Sequence, residues 1–543
     1  MIKILRSYSR YIPWWLCIFF AIIYVLEIYS GIYNVKNFLL SGGLIFLSVV
    51  GFSDITQKKH AILRNYPVSG HLRFLFETFR PEIRQYLLES DTEKLPFSRN
   101  QRALVYQRAK GASDKRPLGT IDDIYRDGTE WLMHTISPKQ HIKPEDLRVA
   151  VGGSQCKKPY SISVFNISAM SFGSLSGNAI MALNKGAKMG GFAHDTGEGS
   201  VSDYHRRYDG DLIWELGSGY FGCRTADGKF DPEKFALVAC EPQIKMIEIK
   251  ISQGAKPGHG GVLPAAKITP EIAKTRGIPM GVDCVSPAGH SAFDTPLELM
   301  QFIVQLRELS GGKPIGFKLC IGKLHEWFAI VKAMLETKIT PDFIVIDGSE
   351  GGTGAAPVEF VDHMGTPMRD ALRMVHMSLI GAGLRDQVKL GVAGKIISAF
   401  DITRACAIGA DWCNSARGFM FAVGCIQARS CHTDLCPTGV ATQDAMRQSA
   451  LDPEDKAHRV FHYHQNTLVA LGELLVAAGF SHTAQLDANA VIRRNEQGVA
   501  MPLGKNLLHL EPNSLLAVDA EKHLNDHFEG LGDYWKIAST TTW

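Results

Sequence analysis

The sequence predicts an α/β protein, a (β/α)8 TIM barrel preceded by an N-terminal transmembrane helical hairpin. Three observations carry the prediction. Two long apolar runs stand within the first 55 residues, and eight short β-branched runs alternate with helical-period stretches beyond residue 150. The residues best suited to chemistry then gather at the ends of those short runs, where such a barrel places its site.

From Tyr11 to Tyr29 the chain reads YIPWWLCIFFAIIYVLEIY with Glu27 as its only charge, long enough as a helix to cross a hydrocarbon layer of ~30 Å. The second uncharged run, Phe38 to Phe52, holds 15 residues and is a marginal span by itself. Lys3, Arg6 and Arg10 precede the first run, Lys58, Lys59 and Arg64 follow the second, and only Lys36 lies between. The positive-inside rule therefore places both ends in the cytoplasm, with the protein in the cell (inner) membrane. A cleaved signal peptide or a buried hydrophobic hairpin is the alternative, and the second run so soon after the first argues against cleavage.

The expected organisation is an anchor over residues 1–55, a linking and capping region over 56–150, the barrel over 151–480, and a C-terminal extension over 481–543. In the linking region, helical patterning in HLRFLFETFRPEIRQYLL is expected to break at Pro81, which lacks an amide proton. Strand candidates follow in order: SISVFNISAM from Ser161, GGFAHDT from Gly190, KMIEIKIS from Lys245 and GIPMGVDCVSP from Gly277. The other four are PIGFKLCIG from Pro314, DFIVIDGSEGG from Asp342, VKLGVAGK from Val388 and DWCNSARGF from Asp411. An open doubly wound sheet rarely needs so many repeats, which favours the closed barrel.

Composition narrows the function classes. Apolar residues make up 45% of the 543 and charged residues 21%, so the chain buries a core. A net charge of +3 gives no electrostatic case for a nucleic-acid partner. Eleven unevenly spaced cysteines point to a reducing compartment with metal or catalytic use.

In DGSEGGTGAAP, Gly348, Gly351, Gly352 and Gly354 fall within seven residues after an apolar strand, Gly394 ends the next strand, and Ala416-Arg417-Gly418 ends the last. Such loops let backbone amides approach a phosphorylated cofactor, although each alone also reads as a tight turn. Lys318 lies inside the apolar strand GFKLC, where an unpaired ammonium is costly. Either a flavin faces it or an acidic residue of a neighbouring strand does. Cys425, Cys431 and Cys436 are spaced C-x5-C-x4-C and closed by Pro437. Three thiolates at this spacing suit one iron–sulfur cluster, with zinc plus His432, or three buried cysteines, as the other readings. In QGAKPGHGG, Gln253 and Lys256 sit in a turn after a strand, Arg276 follows, and Glu198 and His259 are acid/base candidates. The two cations suit a dicarboxylate.

Together SAMSFGSLS, HDTGEGS, IEIKISQGAKPGHGG, DGSEGGTGAAP and CHTDLCPTGVATQ resemble, in order over roughly residues 150–480, the FMN-binding synthase domain of glutamate synthases. The resemblance implies an FMN barrel with a 3Fe-4S cluster on Cys425, Cys431 and Cys436. It implies FMN contacts from Met170, Ser171, Lys318, Gly351, Gly352, Gly354, Gly394, Ala416 and Arg417. Glu198, Gln253, Lys256 and Arg276 would be catalytic groups holding 2-oxoglutarate or its imine. Ile2 follows Met1 where glutamine-dependent members begin with a nucleophilic cysteine, so ammonia is expected from a separate subunit. No G-x-G-x-x-G follows a strand, which makes ferredoxin or an electron-donating subunit the expected donor. Val262 after GHGG and the segment SPAGHSAF from Ser286 depart from the family pattern. They keep open a reductase or dehydrogenase for another acid or amine, or a non-catalytic redox relay.

Overall fold

The computed structural model describes residues 9–90, 93 and 96–543. Its contacts divide the chain into two units, Met1–Glu93 and Lys94–Trp543. The basic residues Lys3 and Arg6 lie outside the described residues.

In the first unit, helix α1 (Ile12–Tyr29) packs along α2 (Val35–Thr56). Proline near its start suits the first turn of α1, and the Asn34 side chain caps α2 by accepting from the Lys36 amide at 2.9 Å. The Trp14 indole donates to the Ser48 carbonyl at 2.9 Å, and Gly51 leaves the room that ring occupies. Glu27 is met by the Asn37 amide at 3.1 Å. The second run is longer than its uncharged stretch: α2 has 22 residues, about 33 Å, because the helix continues through Lys36 and Asp54 instead of stopping at a charge. Both helices are long and apolar enough to cross a membrane.

Helix α3 (Gly70–Ile83) follows, and it does not end at Pro81. It runs to Ile83 and then widens into a π-helical turn, Arg84–Leu88, closed by the Glu89 amide on the Arg84 carbonyl at 2.6 Å. A proline removes one hydrogen bond but leaves the rest of the helix intact, and a wide turn near it absorbs the misfit.

The second unit is built on a closed barrel of eight parallel strands. They are β1 (Phe165–Ile167), β2 (His194–Asp195), β3 (Leu212–Leu216), β4 (Ile244–Lys250), β5 (Ile315–Leu319), β6 (Phe343–Asp347), β7 (Lys389–Ala393) and β8 (Trp412–Ser415). Seven lie in the runs expected to be strands. GIPMGVDCVSP is not one: it holds the end of a short helix and the two residues Cys284–Val285, paired outside the barrel with Val262–Leu263. The third strand is instead LIWEL, bracketed by Gly210 and Gly217. Crossover helices such as Gly177–Gly190, Leu324–Thr337 and Met368–Gly381 bury their apolar faces against the strands.

Residues 130–132 and 491–502 are not peripheral to this unit. Glu130–Leu132 pairs with Val491–Arg494, and Ala500–Pro502 adds a third strand. Glu130 is held by Arg369 at 2.7 Å and Arg404 at 3.1 Å, both on barrel helices. Helix Pro453–Ala478, also long and apolar enough to span, packs instead on Gly177–Gly190, where Val460 fills the space left by Gly186.

Candidate functional site

Strand alternation points one side chain in two into a barrel, and those positions are usually filled by Val, Ile and Leu. Here the lumen is charged. Glu215 on β3 is the register partner of Glu248 on β4, and Lys318 on β5 is the partner of Lys250 on β4. The Lys318 ammonium pairs with Glu215 and, at 3.1 Å, with Glu248, all three buried. Ligand oxygens of Asp195, Glu215 and Glu248 lie within 4.8 Å of one another. A metal ion could be imagined there, but the cation in contact with two of these acids is the lysine itself. Lys318 thus faces an acidic pair, Glu248 on the adjacent strand and Glu215 on the strand beyond it.

More carboxylates than lysines share this space. Burial pushes Glu248 up to about 7, outweighing the pull of Lys318, with Glu215 adding to the rise. Asp195 is raised by burial and by Glu248, and Asp347 by burial. Lys318 is held well above its ordinary value by Glu215 and Glu248 in spite of burial.

Four of the expected site residues converge at the C-terminal end of β2 to β4. Glu198 accepts from Lys250 at 2.6 Å, and Lys250 also reaches the Gln253 oxygen at 3.4 Å and Glu215 at 3.7 Å. Burial alone would raise Glu198, but Lys250 first, then Arg276 and Lys256, hold it below the ordinary carboxylate range. Gly217 and Gly261 keep the space into which Glu198 extends. Lys256 is 2% exposed and donates to the Gly260 carbonyl at 2.7 Å; burial lowers its pKa. Arg276, equally buried, donates to the Phe172 carbonyl at 3.0 Å and reaches Ser171 Oγ at 3.4 Å. Neither cation has a carboxylate at ion-pair distance among the described residues. Met170 and Ser171 are buried beside them, and a Cβ at Gly197, which has φ 63°, would lie 2.7 Å from the Ser171 nitrogen.

The glycine-rich loop after β6 is glycine for packing, since Gly348, Gly351, Gly352 and Gly354 are all absent from the positive-φ positions. A Cβ at Gly351 would lie 2.7 Å from the Ala255 amide, one at Gly354 3.2 Å from Cys431, and one at Gly394 2.7 Å from Met368 Cβ. A Cβ at Gly352 meets only the Arg417 guanidinium, at 3.1 Å. That loop therefore joins the Lys256 turn to the cysteine segment. Beside it Arg417, following Ala416, donates to the Glu350 carbonyl at 2.7 Å, and both Arg417 and Lys395 lie over the Phe97 ring, at 4.9 and 5.9 Å. Burial lowers Arg417 to about 10, and burial followed by the charge of Arg417 lowers Lys395. Asp347 and Glu350 pull Arg417 back up, and Glu350 and Asp362 do the same for Lys395, so the two cations at the ends of β7 and β8 are partly balanced by the protein's own acids.

Cys425, Cys431 and Cys436 lie on the irregular segment after Arg417–Ala422. Burial pushes Cys425 up to about 12 and also raises Cys431; Cys436 is pulled down, against burial, by the Ala441 amide and the Thr438 hydroxyl. Ligands on one tetrahedral zinc stand ~4 Å apart. Among the described residues the three thiols and His432 form no group that tight. Buried Lys267 donates to the Cys431 carbonyl at 3.2 Å and lies 4.0 Å from Asp434.

Lys250, Glu215, Glu248, Asp195 and Lys267 are the functional-site neighbours the sequence did not single out. Lys250 was visible as the last residue of IEIK, two positions from Glu248 and so on the same strand face. Glu215 had no signal, because its strand was not recognised. His259, an acid/base candidate, turns its ring to its own Gly260 carbonyl, at 2.8 Å, and to Phe360.

Comparison with known proteins bears on this site. The family described as the conserved region in glutamate synthase matches residues 116–481. The glutamate synthase large subunit-like protein YerD of Bacillus subtilis (strain 168) is 37% identical over 513 residues, covering 86% of this chain and 97% of its own length. The archaeal-type glutamate synthase (NADPH) of Thermotoga neapolitana is 36% identical over 59% of this chain, which spans only 60% of that relative. Among solved structures, a mutant flavocytochrome b2 with benzoylformate aligns with 77% of this chain and 85% of its own, at 11% identity and a TM-score of 0.41.

Proposed function

Because the chain belongs to the glutamate synthase family, we propose that this oxidoreductase uses FMN and a 3Fe-4S cluster to reduce 2-iminoglutarate, formed from 2-oxoglutarate and ammonia, to L-glutamate. The observation that carries the substrate class is the buried pair Lys256 and Arg276, each without a carboxylate partner among the described residues, both acting on Glu198. Burying two such cations is costly unless an anion joins them, and a dicarboxylate supplies two.

The chain fits both cofactors. A phosphate would offset the charge of Arg417 that lowers Lys395, and a Cβ at Gly352 would meet only that guanidinium. The C-x5-C-x4-C segment would hold the cluster through Cys425, Cys431 and Cys436, and Lys267, buried beside Cys431, would offset its negative charge. When bound, FMN supplies a carrier that takes electrons singly from the cluster and delivers a hydride. The protein's part is then to position. Lys256 and Arg276 hold the substrate carboxylates, fixing the electrophilic carbon. Lys250 keeps Glu198 ionised and oriented, so that its carboxylate accepts the imine N–H. Gln253 is turned toward the same point by its contact with Lys250.

The donor is ferredoxin or a partner subunit, a reading supported by the lack, among the described residues, of a G-x-G-x-x-G that opens a helix after a barrel strand. Helices α1 and α2 anchor the chain in the cell membrane, with Lys58, Lys59 and Arg64 on the cytoplasmic side together with the barrel.

The test uses detergent-solubilised full chain, photoreduced without oxygen, with flavin absorbance followed after addition of 2-oxoglutarate and ammonium. Prompt reoxidation with glutamate formed is the expected result. A flavin that stays reduced moves the search to another acid or amine or to a relay role, and a preparation without flavin rejects the reading.

A further inference from the structure

Helix α3 and the turn after it carry an apolar stripe that no part of the described chain covers. Leu72, Leu75, Phe76, Phe79, Ile83 and Leu87 recur at the three-and-four spacing of one helix face and are all exposed, Phe76 at 64%, Phe79 at 52% and Leu87 at 77%. A face of this size left to water is unfavourable and marks a contact surface.

The flank of the stripe is basic. Arg73, Arg80 and Arg84 follow one another at the spacing of two helical turns or one along a single edge, where Glu77 pairs with Arg73 at 2.8 Å and Glu93 with Arg84, and between residues 57 and 88 six basic side chains face two acidic ones. An apolar stripe edged by arginines is the pattern of a helix lying in the interface of an anionic bilayer. The helix is also tethered at the right place. Asp54, in the last turn of α2, accepts from the Val68 amide at 3.0 Å and from the His71 ring at 2.9 Å, which pins the start of α3 to the end of the second span.

We propose that α3 with its π turn is an interfacial helix, its stripe among the first acyl carbons and its arginines at the phosphates of anionic lipids. The proposal rests on the membrane-anchor reading of α1 and α2 and adds a second, peripheral contact to it. The occupant is a lipid surface because Asp54 pins the start of α3 to the end of the second span and the basic excess of residues 57–88 complements that surface.

The full chain is reconstituted in vesicles of phosphatidylethanolamine and phosphatidylglycerol, with the photoreactive p-benzoylphenylalanine placed one site at a time at Phe19, Phe74, Phe76 and Phe79. Phe19 reports on the span; Phe74, half-buried and near the His60 ring, reports on the opposite face of α3. Lipid adducts at Phe76 and Phe79, several-fold above Phe74 and reduced when phosphatidylcholine replaces phosphatidylglycerol, are expected. Lipid adducts at Phe19 with only chain-to-chain or intrachain products at Phe76 and Phe79 overturn the interfacial helix and leave the anchor standing. No lipid adduct at Phe19 overturns the anchor itself.

Discussion

Lys318 and Lys250 in the barrel lumen are matched by Glu215, Glu248 and Glu198, whereas Lys256, Arg276, Lys395 and Arg417 around the rim contact carbonyls, hydroxyls, a thiol or ring faces and form no ion pair among the described residues. Both sets are cations at the strands of one barrel. The difference lies in where the balancing charge comes from. The lumen supplies its own and even overshoots, so its lysines belong first to the fold. The rim cations feel carboxylates only from a distance, Lys256 from Glu198 and Arg417 from Asp347 and Glu350, without an ion pair, so a bound anion would complete their neutralisation.

The largest effect expected from this contrast is on stability. Lys318→Met strips the cation from two buried carboxylates and should cost roughly 3–5 kcal/mol in urea unfolding of the apoprotein. Arg417→Met should cost only about 1 kcal/mol there while sharply lowering flavin content by absorbance. Equal destabilisation by the two would break the comparison, and flavin loss in a stable Lys318→Met protein would return that lysine to the cofactor site.

At the rim, Lys256→Met should raise KM for 2-oxoglutarate about 10- to 150-fold, the equivalent of one charge-assisted hydrogen bond of roughly 1.5–3 kcal/mol, with folding unchanged. Steady-state kinetics over a range of 2-oxoglutarate checks it. An effect on kcat alone would show that Lys256 acts on the reaction without holding the ground-state carboxylate.

The sequence carried the rim better than the lumen for a physical reason. Rim residues sit in short glycine-rich turns, where unusual composition stands out over a few positions, as in QGAKPGHGG and DGSEGGTGAAP. The lumen is assembled from single charges on strands far apart in sequence, and each looks like an anomaly by itself. Glu215 interrupts LIWEL and hid the strand it belongs to, while the apolar GIPMGVDCVSP took its place in the count. Lys318 announced that it needed an anion, but only the closed barrel shows that Glu215 and Glu248 provide it. The helix through Pro81 and the full length of α2 were obscured likewise, because a single proline or charge perturbs a helix without ending it.

The overshoot of acid in the lumen gives the sharpest test. Burial, outweighing Lys318, raises the Glu248 carboxyl from 4.5 to about 7, so the folded protein keeps a proton that the unfolded chain releases between those values. Its contribution to stability is therefore full below pH 4.5 and is lost as the pH rises through 7. Glutamine at this position cannot lose a proton. The stability of Glu248→Gln relative to the parent should climb between pH 4.5 and 7, by at most about 1.4 kcal/mol per pH unit, and level off above. Paired urea titrations across that range measure the slope, and the infrared band of a protonated carboxylic acid should fade in the parent over the same interval and be weaker in the variant at acid pH. A flat difference with no such band would mean that Glu248 is ionised throughout, and that Lys318 is shared by two full carboxylates whose excess charge the lumen must neutralise elsewhere.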